Sequence, residues 1–381
     1  MSRRGENIFK RKDGRWEARV PEYKINGKKV YRSIYGRSYN EVKLKKEEYY
    51  SSESHRKFTK PLKSTTFADI ADFWLTTIRG TIKESSFTRY HRNVHSYLNP
   101  AIGTLTLPAI NSNAICRLKD ELLESGGKRG DGLSEKTVSD LLSTLKMILM
   151  YAEEQGYPVM NAELIRNPKK KKREVNVIPS GVISRLEEIL LSSDDRISLG
   201  ILLTLHTGIR NGELCGLRWG DCDFSSGTIR ICRTVERIKD LAPLAEHKTK
   251  VIITEPKTES SKRDIPLPKT LCLYLRSHRG AADEYLLTGM DKPSEPHTLY
   301  VRYERFLRRN GFESYTFHAI RHTFATRGIA SGFDAKSLSE ILGHSDVTTT
   351  LRCYVHPSME EKRNQMETLF NACKNGQKYG T

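Results

Sequence analysis

The residue types best suited to phosphate chemistry gather toward the C-terminal end of the chain. Residues 315–326 carry His318, Arg321 and His322, and are followed by Leu342-Gly343-His344 and then Tyr354. An earlier stretch, Thr207-Gly208-Ile209-Arg210-Asn211-Gly212-Glu213-Leu214, adds Arg210. A phosphodiester resists attack because its anionic oxygens repel nucleophiles. A site for it needs fixed cations, a nucleophile, a proton acceptor and a proton donor for the leaving oxygen. Arginine suits the first role, since its planar fork matches two phosphate oxygens and keeps its charge. Arg210 and Arg321 are therefore the candidate clamp. Tyr354 is the candidate nucleophile. A phenol is only about one part in a thousand ionised at neutral pH, so it needs help. Nearby arginines lower its pKa, and a histidine can take its proton as attack proceeds.

Each residue alone has a plainer reading. One arginine is as readily a salt-bridge residue, a lone histidine is more often structural, and Tyr354 is one of 17 tyrosines. The argument rests on the set. His318 and Arg321 are three apart on a predicted helix and share a face. Gly343 is a predicted helix C-cap, which puts His344 at the mouth of a turn. His318 and His322 also have the i, i+4 spacing of a zinc pair, but Ala319 stands where an HExxH motif needs glutamate, and no third ligand is suggested. No metal is expected.

The elements that must position these residues follow from pattern. Residues 1–60 hold alternating segments around Lys12-Asp13-Gly14 and Asn26-Gly27, which predicts three strands, and then a helix over 40–52. This segment carries 18 Lys/Arg against 8 Asp/Glu, and suits insertion into a DNA groove, with a solvated basic flap as the plainer alternative. Residues 53–64 lack periodicity and read as a linker. Residues 65–165 are predicted helical, with Phe67, Ile70, Ala71, Trp74, Leu75 and Ile78 on one apolar face after a Thr66 cap. Further helices are predicted over 86–97, stopped by Asn99-Pro100, over 112–125, and from Ser134 along the stripe Val138, Leu141, Leu142, Leu145, Ile148, Leu149 and Ala152. Pro168-Lys169-Lys170-Lys171-Lys172-Arg173 is a cationic linker that could track phosphates. Residues 176–381 form the largest predicted domain. It has helices after Pro179-Ser180 and over 196–207, and strand-like segments over 228–238, 250–254 and 263–267. Lys257 falls between the last two, at a predicted hairpin.

Composition bounds the class. Lys plus Arg total 64 against 46 Asp plus Glu in 381 residues, a net +18, which favours a polyanionic partner. No run reaches the ~18 apolar residues of a membrane span, and the N-terminus lacks the apolar stretch of a signal peptide, so a cytoplasmic, DNA-associated protein is expected. The seven cysteines are scattered without a CxxC, which points to reduced thiols.

In this order and spacing the motifs resemble the tyrosine site-specific recombinases. The Thr207–Leu214 stretch, with Leu217-Arg218-Trp219-Gly220-Asp221, is similar to their first arginine motif. His318-Ala319-Ile320-Arg321-His322-Thr323 is similar to their His-x-x-Arg motif, with Ile320 replacing the usual leucine. Leu342-Gly343-His344-Ser345 and Tyr354, ten residues on from His344, look like the closing histidine and nucleophile. Lys257 matches the hairpin lysine, with Lys262 as its rival. The resemblance covers residues 176–360 most strongly. The helical segment is similar to the family's core-binding domain, and residues 1–60 to the arm-binding domain of phage and conjugative-transposon integrases.

The resemblance implies a multidomain, mainly α fold with small β elements. This would be a three-stranded sheet plus helix at 1–60 for arm sites, a helical core-site domain at 65–165, and a mixed α+β catalytic domain at 176–381. It implies that Arg210 and Arg321 clamp the scissile phosphate and that Tyr354 attacks it to give a 3′-phosphotyrosine. Lys257 would then protonate the 5′-oxygen, His318 handle the tyrosine's proton, His344 hydrogen-bond the phosphoryl oxygens and Glu213 orient the clamp. No ATP, metal or other cofactor is implied. The implied partners are duplex DNA at core and arm sites and a homo-tetramer, with room for an excisionase and a host DNA-bending protein. The chain after about residue 361, with Leu369 and Phe370, is expected to pack onto a neighbouring protomer. A non-catalytic DNA-binding regulator on the same fold and a type IB topoisomerase are the competing readings.

Overall fold

The computed structural model describes residues 7–23, 29–51, 65–127, 130–168, 176–242, 245–255, 261–355 and 359–374. The Asn26-Gly27 turn, the linker at 53–64, the Lys169–Arg173 run and Lys257 lie outside them. The fold is mainly helical with small antiparallel sheets, as the sequence predicts. The chain divides into two compact units, Met1–Lys172 and Arg173–Thr381.

The first unit begins with the antiparallel sheet β1 (Ile8–Lys10), β2 (Trp16–Tyr23) and β3 (Lys29–Gly36), followed by α1 (Tyr39–Ser51). Ile8, Ala18 and Val42 are buried between sheet and helix, with Trp16, Ile34 and Tyr39 around them. Glu17 is also buried, and Ser33, Arg11 and Arg19 donate to its carboxylate. Those bonds make its burial tolerable and aim two arginines from the sheet.

The helices of this unit are α2 (Phe67–Ile78), α3 (Glu84–Asn93), the short α4 (Asn99–Ile102), α5 (Ser112–Ser125) and α6 (Glu135–Glu154). Thr66 and Asp69 cap α2 reciprocally, and Ser134 caps α6. The predicted stripe of α6, from Val138 to Ala152, is fully buried against Phe67, Ile70 and Leu75 of α2 and Leu118 and Leu122 of α5. One sequence expectation fails here. Asn99-Pro100 does not stop the helix. The chain passes from α3 through a wide π-turn, Val94–Leu98, in which the Asn99 N–H reaches back to the Val94 carbonyl, straight into α4. Pro100 is accommodated because it enters the first turn of α4, where its missing N–H costs nothing.

The second unit is built around α8. Its helices and strands are α7 (Ser180–Leu191), α8 (Arg196–Thr207), α9 (Asn211–Cys215), β4 (Cys222–Asp223), β5 (Thr228–Ile231), β6 (Thr234–Lys239), β7 (Thr249–Thr254), β8 (Arg263–Pro266), α10 (Lys269–Ser277), α11 (Pro296–Arg309), α12 (Phe317–Ala330), α13 (Ala335–Leu342), α14 (Val347–Tyr354) and α15 (Met359–Lys374). Residues Ile197 to Leu205 of α8 are buried on every face, so this helix is the axis of the core. Alongside it packs α12, which fixes where the end of α8 meets the middle of α12. The predicted strand over 228–238 is two strands. β5 joins β4 and β8 in one sheet, and β6 pairs with β7 in another. The predicted hairpin between β7 and β8 is therefore wrong, because β7 pairs with β6 and β8 with β5. Period-two patterning identifies strands but does not choose their partners.

Two glycines end helices in the left-handed conformation and aim carbonyls at one place. They are Gly208 after α8 (φ 63°) and Gly343 after α13 (φ 65°). A Cβ on Gly208 would come within 2.5 Å of Phe324 and 2.8 Å of Leu342. Gly227 has a similar φ of 66° but open space around its Cβ position. Gly227→Ala is expected to cost about 1–2 kcal/mol for the backbone alone. Gly208→Ala should cost roughly 1–3 kcal/mol more through overpacking. Denaturant unfolding of the two variants checks the difference.

Candidate active site

Arg210 follows the Gly208 turn and precedes α9. Its backbone N–H and its Nη1 both donate to Glu213, at 2.9 and 2.7 Å, and its Nη2 donates to the Gly343 carbonyl at 2.7 Å. Arg321, on α12, is 2 % exposed. Its Nη1 donates to the Gly208 carbonyl at 2.6 Å, and its Nη2 to the Leu342 carbonyl at 2.9 Å and to Nε2 of His344 at 3.0 Å. The carbonyls at two helix ends thus hold two guanidiniums. Those ends carry the negative pole of each helix and have no partner further along it, so cations are the natural groups to satisfy them.

A third arginine completes the cluster. Arg263 of β8 donates to both Glu213 oxygens, at 3.1 and 2.9 Å, and through Nε to the Ile341 carbonyl at 2.6 Å. Glu213 is buried and serves two arginines at once. Burial pushes its carboxyl up, but the hydrogen bonds and charge of Arg263, with Arg210, outweigh that and hold it below its ordinary value. Burial and the charge of Arg210 push Arg321 down to about 9, so it still carries its charge at neutral pH.

Of the six residues singled out in the sequence, the structure brings five together. Lys257 lies outside the described residues, and Lys262 is paired with Glu255 at 2.9 Å. His344 sits just past Gly343, with Nδ1 2.8 Å from the hydroxyl of buried Thr350. Accepting from Arg321 at Nε2 leaves the proton of neutral His344 on Nδ1, facing Thr350. Burial, then Arg321, Arg210, Arg263 and His318, push His344 down to about 4. His318 still meets solvent, yet partial burial and then the neighbouring His322, Arg321 and Arg210 push it down to about 4 as well. Both are neutral at pH 7.

Tyr354 ends α14 and is 8 % exposed. Burial raises its pKa, and the charges of Arg321 and Arg210 pull it part of the way back. Its hydroxyl lies 2.6 Å from Nδ1 of His322. That differs from the sequence expectation, which gave the tyrosine's proton to His318. The ring of His318 instead meets that of His322 edge-on, with centroids 4.4 Å apart.

Residues 180–361 match the Phage integrase family. The chain is 29 % identical over 370 residues to a tyrosine recombinase XerC-like protein of Caldanaerobacter subterraneus, a match spanning 90 % of this chain and 92 % of that one. The chain is a tyrosine recombinase. It is also 27 % identical to tyrosine recombinase XerA of Thermococcus onnurineus, over 63 % of this chain and 77 % of the other. Its fold is similar to that of the Tn1549 transposon integrase in complex with transposon right-end DNA. There the TM-score is 0.63 at 21 % identity, over 80 % of this chain and all of the other. It is similar as well to a lambda integrase dimer bound to a COC′ core site, with TM-score 0.54 at 16 % identity, over all of this chain and 99 % of the other. Among the described residues, no helix of this recombinase is long and apolar enough to cross a membrane.

Sequence reasoning missed Arg263 and His322. Arg263 shares a face of β8 with buried Ile265, two residues on, and an arginine on a core-facing strand position was the available signal. His322 was visible only as half of an i, i+4 pair, which says nothing about a partner on another helix.

Two expectations follow for this recombinase. Arg263→Gln leaves buried Glu213 with one arginine, and should lower stability by about 3 kcal/mol in denaturant unfolding. A histidine held below its ordinary value binds protons in the unfolded chain before it binds them in the fold. Stability should therefore fall as pH drops from 6.5 toward 4, where His344 and His318 sit in the folded protein. His344→Asn should flatten that slope, as measured by the melting temperature across the window.

Proposed function

We propose that this recombinase is the integrase of a mobile element, cutting and rejoining duplex DNA through a 3′-phosphotyrosine. The observation that carries the reading is the single cluster of Arg210, Arg321, His344 and Tyr354, in which two guanidiniums are fixed beside a buried phenol. Arg210 and Arg321 grip the non-bridging oxygens of the scissile phosphate. The Tyr354 oxygen attacks phosphorus, the bond to the 5′-oxygen breaks, and Lys257 gives that oxygen its proton. His344 and His318 border the phosphoryl group, and Glu213 with Arg263 keeps the clamp in place. The ester conserves the bond energy, so a 5′-hydroxyl can later attack it and release Tyr354 without ATP or metal.

The basic sheet at 1–60 serves arm sites, the helices of 65–165 serve core sites, and 176–381 catalyses. Holding two kinds of site on separate modules raises the effective concentration of one for the other. The active form is a homo-tetramer on DNA, with α15 docking on a neighbour. The exposed Met366, Leu369 and Phe370 of that helix support this. The fold likeness to the Tn1549 and lambda integrases supports the mobile-element reading, and an excisionase and a host bending protein fit as partners.

The test is a nicked suicide duplex made from the DNA junction flanking the gene that encodes this chain. The wild type should accumulate as a covalent adduct, and Tyr354→Phe should bind the same duplex without forming one. Lys257→Ala should regain cleavage on a duplex whose leaving 5′-oxygen is replaced by sulfur. A Tyr354→Phe variant that is trapped like the wild type would refute the reading.

A further inference from the structure

The nucleophile's own hydrogen bond points to a residue that the family resemblance leaves without a task. Tyr354 Oη lies 2.6 Å from His322 Nδ1, the short end of the range for such a bond. His318 stands one ring further off, meeting His322 edge-on. We propose that His322 is the general base for Tyr354, taking the phenolic proton as the Tyr354 oxygen attacks the scissile phosphorus. This rests on the phosphotyrosine reading and adds a residue to it.

The step balances as follows. The Oη–H bond breaks and its proton passes to Nδ1, giving an imidazolium with a proton on each nitrogen. The Oη lone pair forms the bond to phosphorus, and the bond to the 5′-oxygen breaks toward its own proton donor. On rejoining, the same imidazolium returns the proton to the departing phenolate, which leaves His322 neutral for the next cycle.

Three features of the site suit His322 to this work. It follows Arg321 directly on α12, so the helix that fixes the clamp also fixes the base relative to it. It is half-buried, and Tyr354 reaches it from the last position of α14, a helix packed on α12. It is also available to accept, because burial and the charge of Arg321 hold its pKa below the ordinary value and keep it neutral at pH 7. The imidazolium formed beside Arg321 is unfavourable until the site holds a phosphate, whose negative charge offsets it. The base therefore works when the substrate is in place. His318, an exposed residue whose ring meets His322, is left to the phosphoryl oxygens.

Single-turnover cleavage of the nicked duplex separates the possibilities. His322→Ala should slow covalent adduct formation by about 10²–10⁴-fold, the usual worth of a positioned general base, with DNA affinity unchanged. Imidazole in the buffer should restore part of that rate. His322→Asn can still accept a hydrogen bond but cannot take the proton, and should be as slow as His322→Ala. On the duplex with a 5′-sulfur leaving atom the loss should persist, because that substitution replaces the acid and not the base. Wild-type rates for His322→Asn would reduce the residue to a positioning role and overturn the proposal. So would recovery of His322→Ala on the sulfur substrate, or a loss confined to His318→Ala. If the wild type forms no adduct at all, the phosphotyrosine reading itself fails. If it does and the His322 variants match it, only this inference fails.

Discussion

A buried guanidinium bonded to the ends of two helices is the interaction on which the site depends. Arg321 spans from the Gly208 carbonyl after α8 to the Leu342 carbonyl near the end of α13. An arginine that is almost wholly buried is costly unless its donors are satisfied, and helix-end carbonyls satisfy them while supplying negative potential. The two left-handed glycines make this possible. Each turns its chain so that backbone oxygen faces inward, and a side chain at either would meet packed atoms, Phe324 and Leu342 for Gly208 and Arg263 for Gly343. α8 and α13 are locked to α12 by charge as well as by apolar packing.

Glu213 extends the lock to a sheet. By accepting from both Arg210 and Arg263 it joins the turn before α9 to β8, and Arg263 closes the loop by bonding the Ile341 carbonyl of α13. One carboxylate among three arginines leaves the site strongly cationic. Burial first, and then these charges, keep the neighbouring histidines neutral, and the pKa of the Tyr354 phenol, raised by burial, is pulled back toward its ordinary value. A site so charged, fixed before any substrate arrives, needs little reorganisation to accept an anion, which is the condition under which electrostatic stabilisation is most effective.

Much of this was readable from residue order, and the limits are physical. Apolar periodicity marked α2 and α6, and Gly208 and Gly343 were recognisable as helix ends because few other residues adopt positive φ. The crowding of Arg210, His318, Arg321, His344 and Tyr354 followed from motif spacing. What local pattern did not carry was pairing across the chain. β7 and β8 looked like a hairpin because they are neighbours in sequence, while their hydrogen bonds run to β6 and β5. The Arg263–Glu213 pair joins positions fifty apart. The His322–Tyr354 bond joins α12 to α14, and α14 is seated on α13 through the cluster of Ala325, Leu338, Leu342 and Tyr354, a contact neither helix's own sequence announces. Pro100 was misread for a local reason, since a proline that ends one helix can equally stand in the first turn of the next, where its missing N–H costs nothing.

The central claim is that the Tyr354 oxygen becomes esterified to a DNA strand end. Its most direct measurement is mass spectrometry of the trapped protein–DNA adduct after nuclease and trypsin digestion. Cleavage after Arg352 and Lys362 isolates Tyr354 as the sole tyrosine of its peptide. The account predicts a nucleotide mass on that peptide, localised by fragmentation to Tyr354. A nucleotide mass on any other residue, or none on a protein that has cut its DNA, would contradict it.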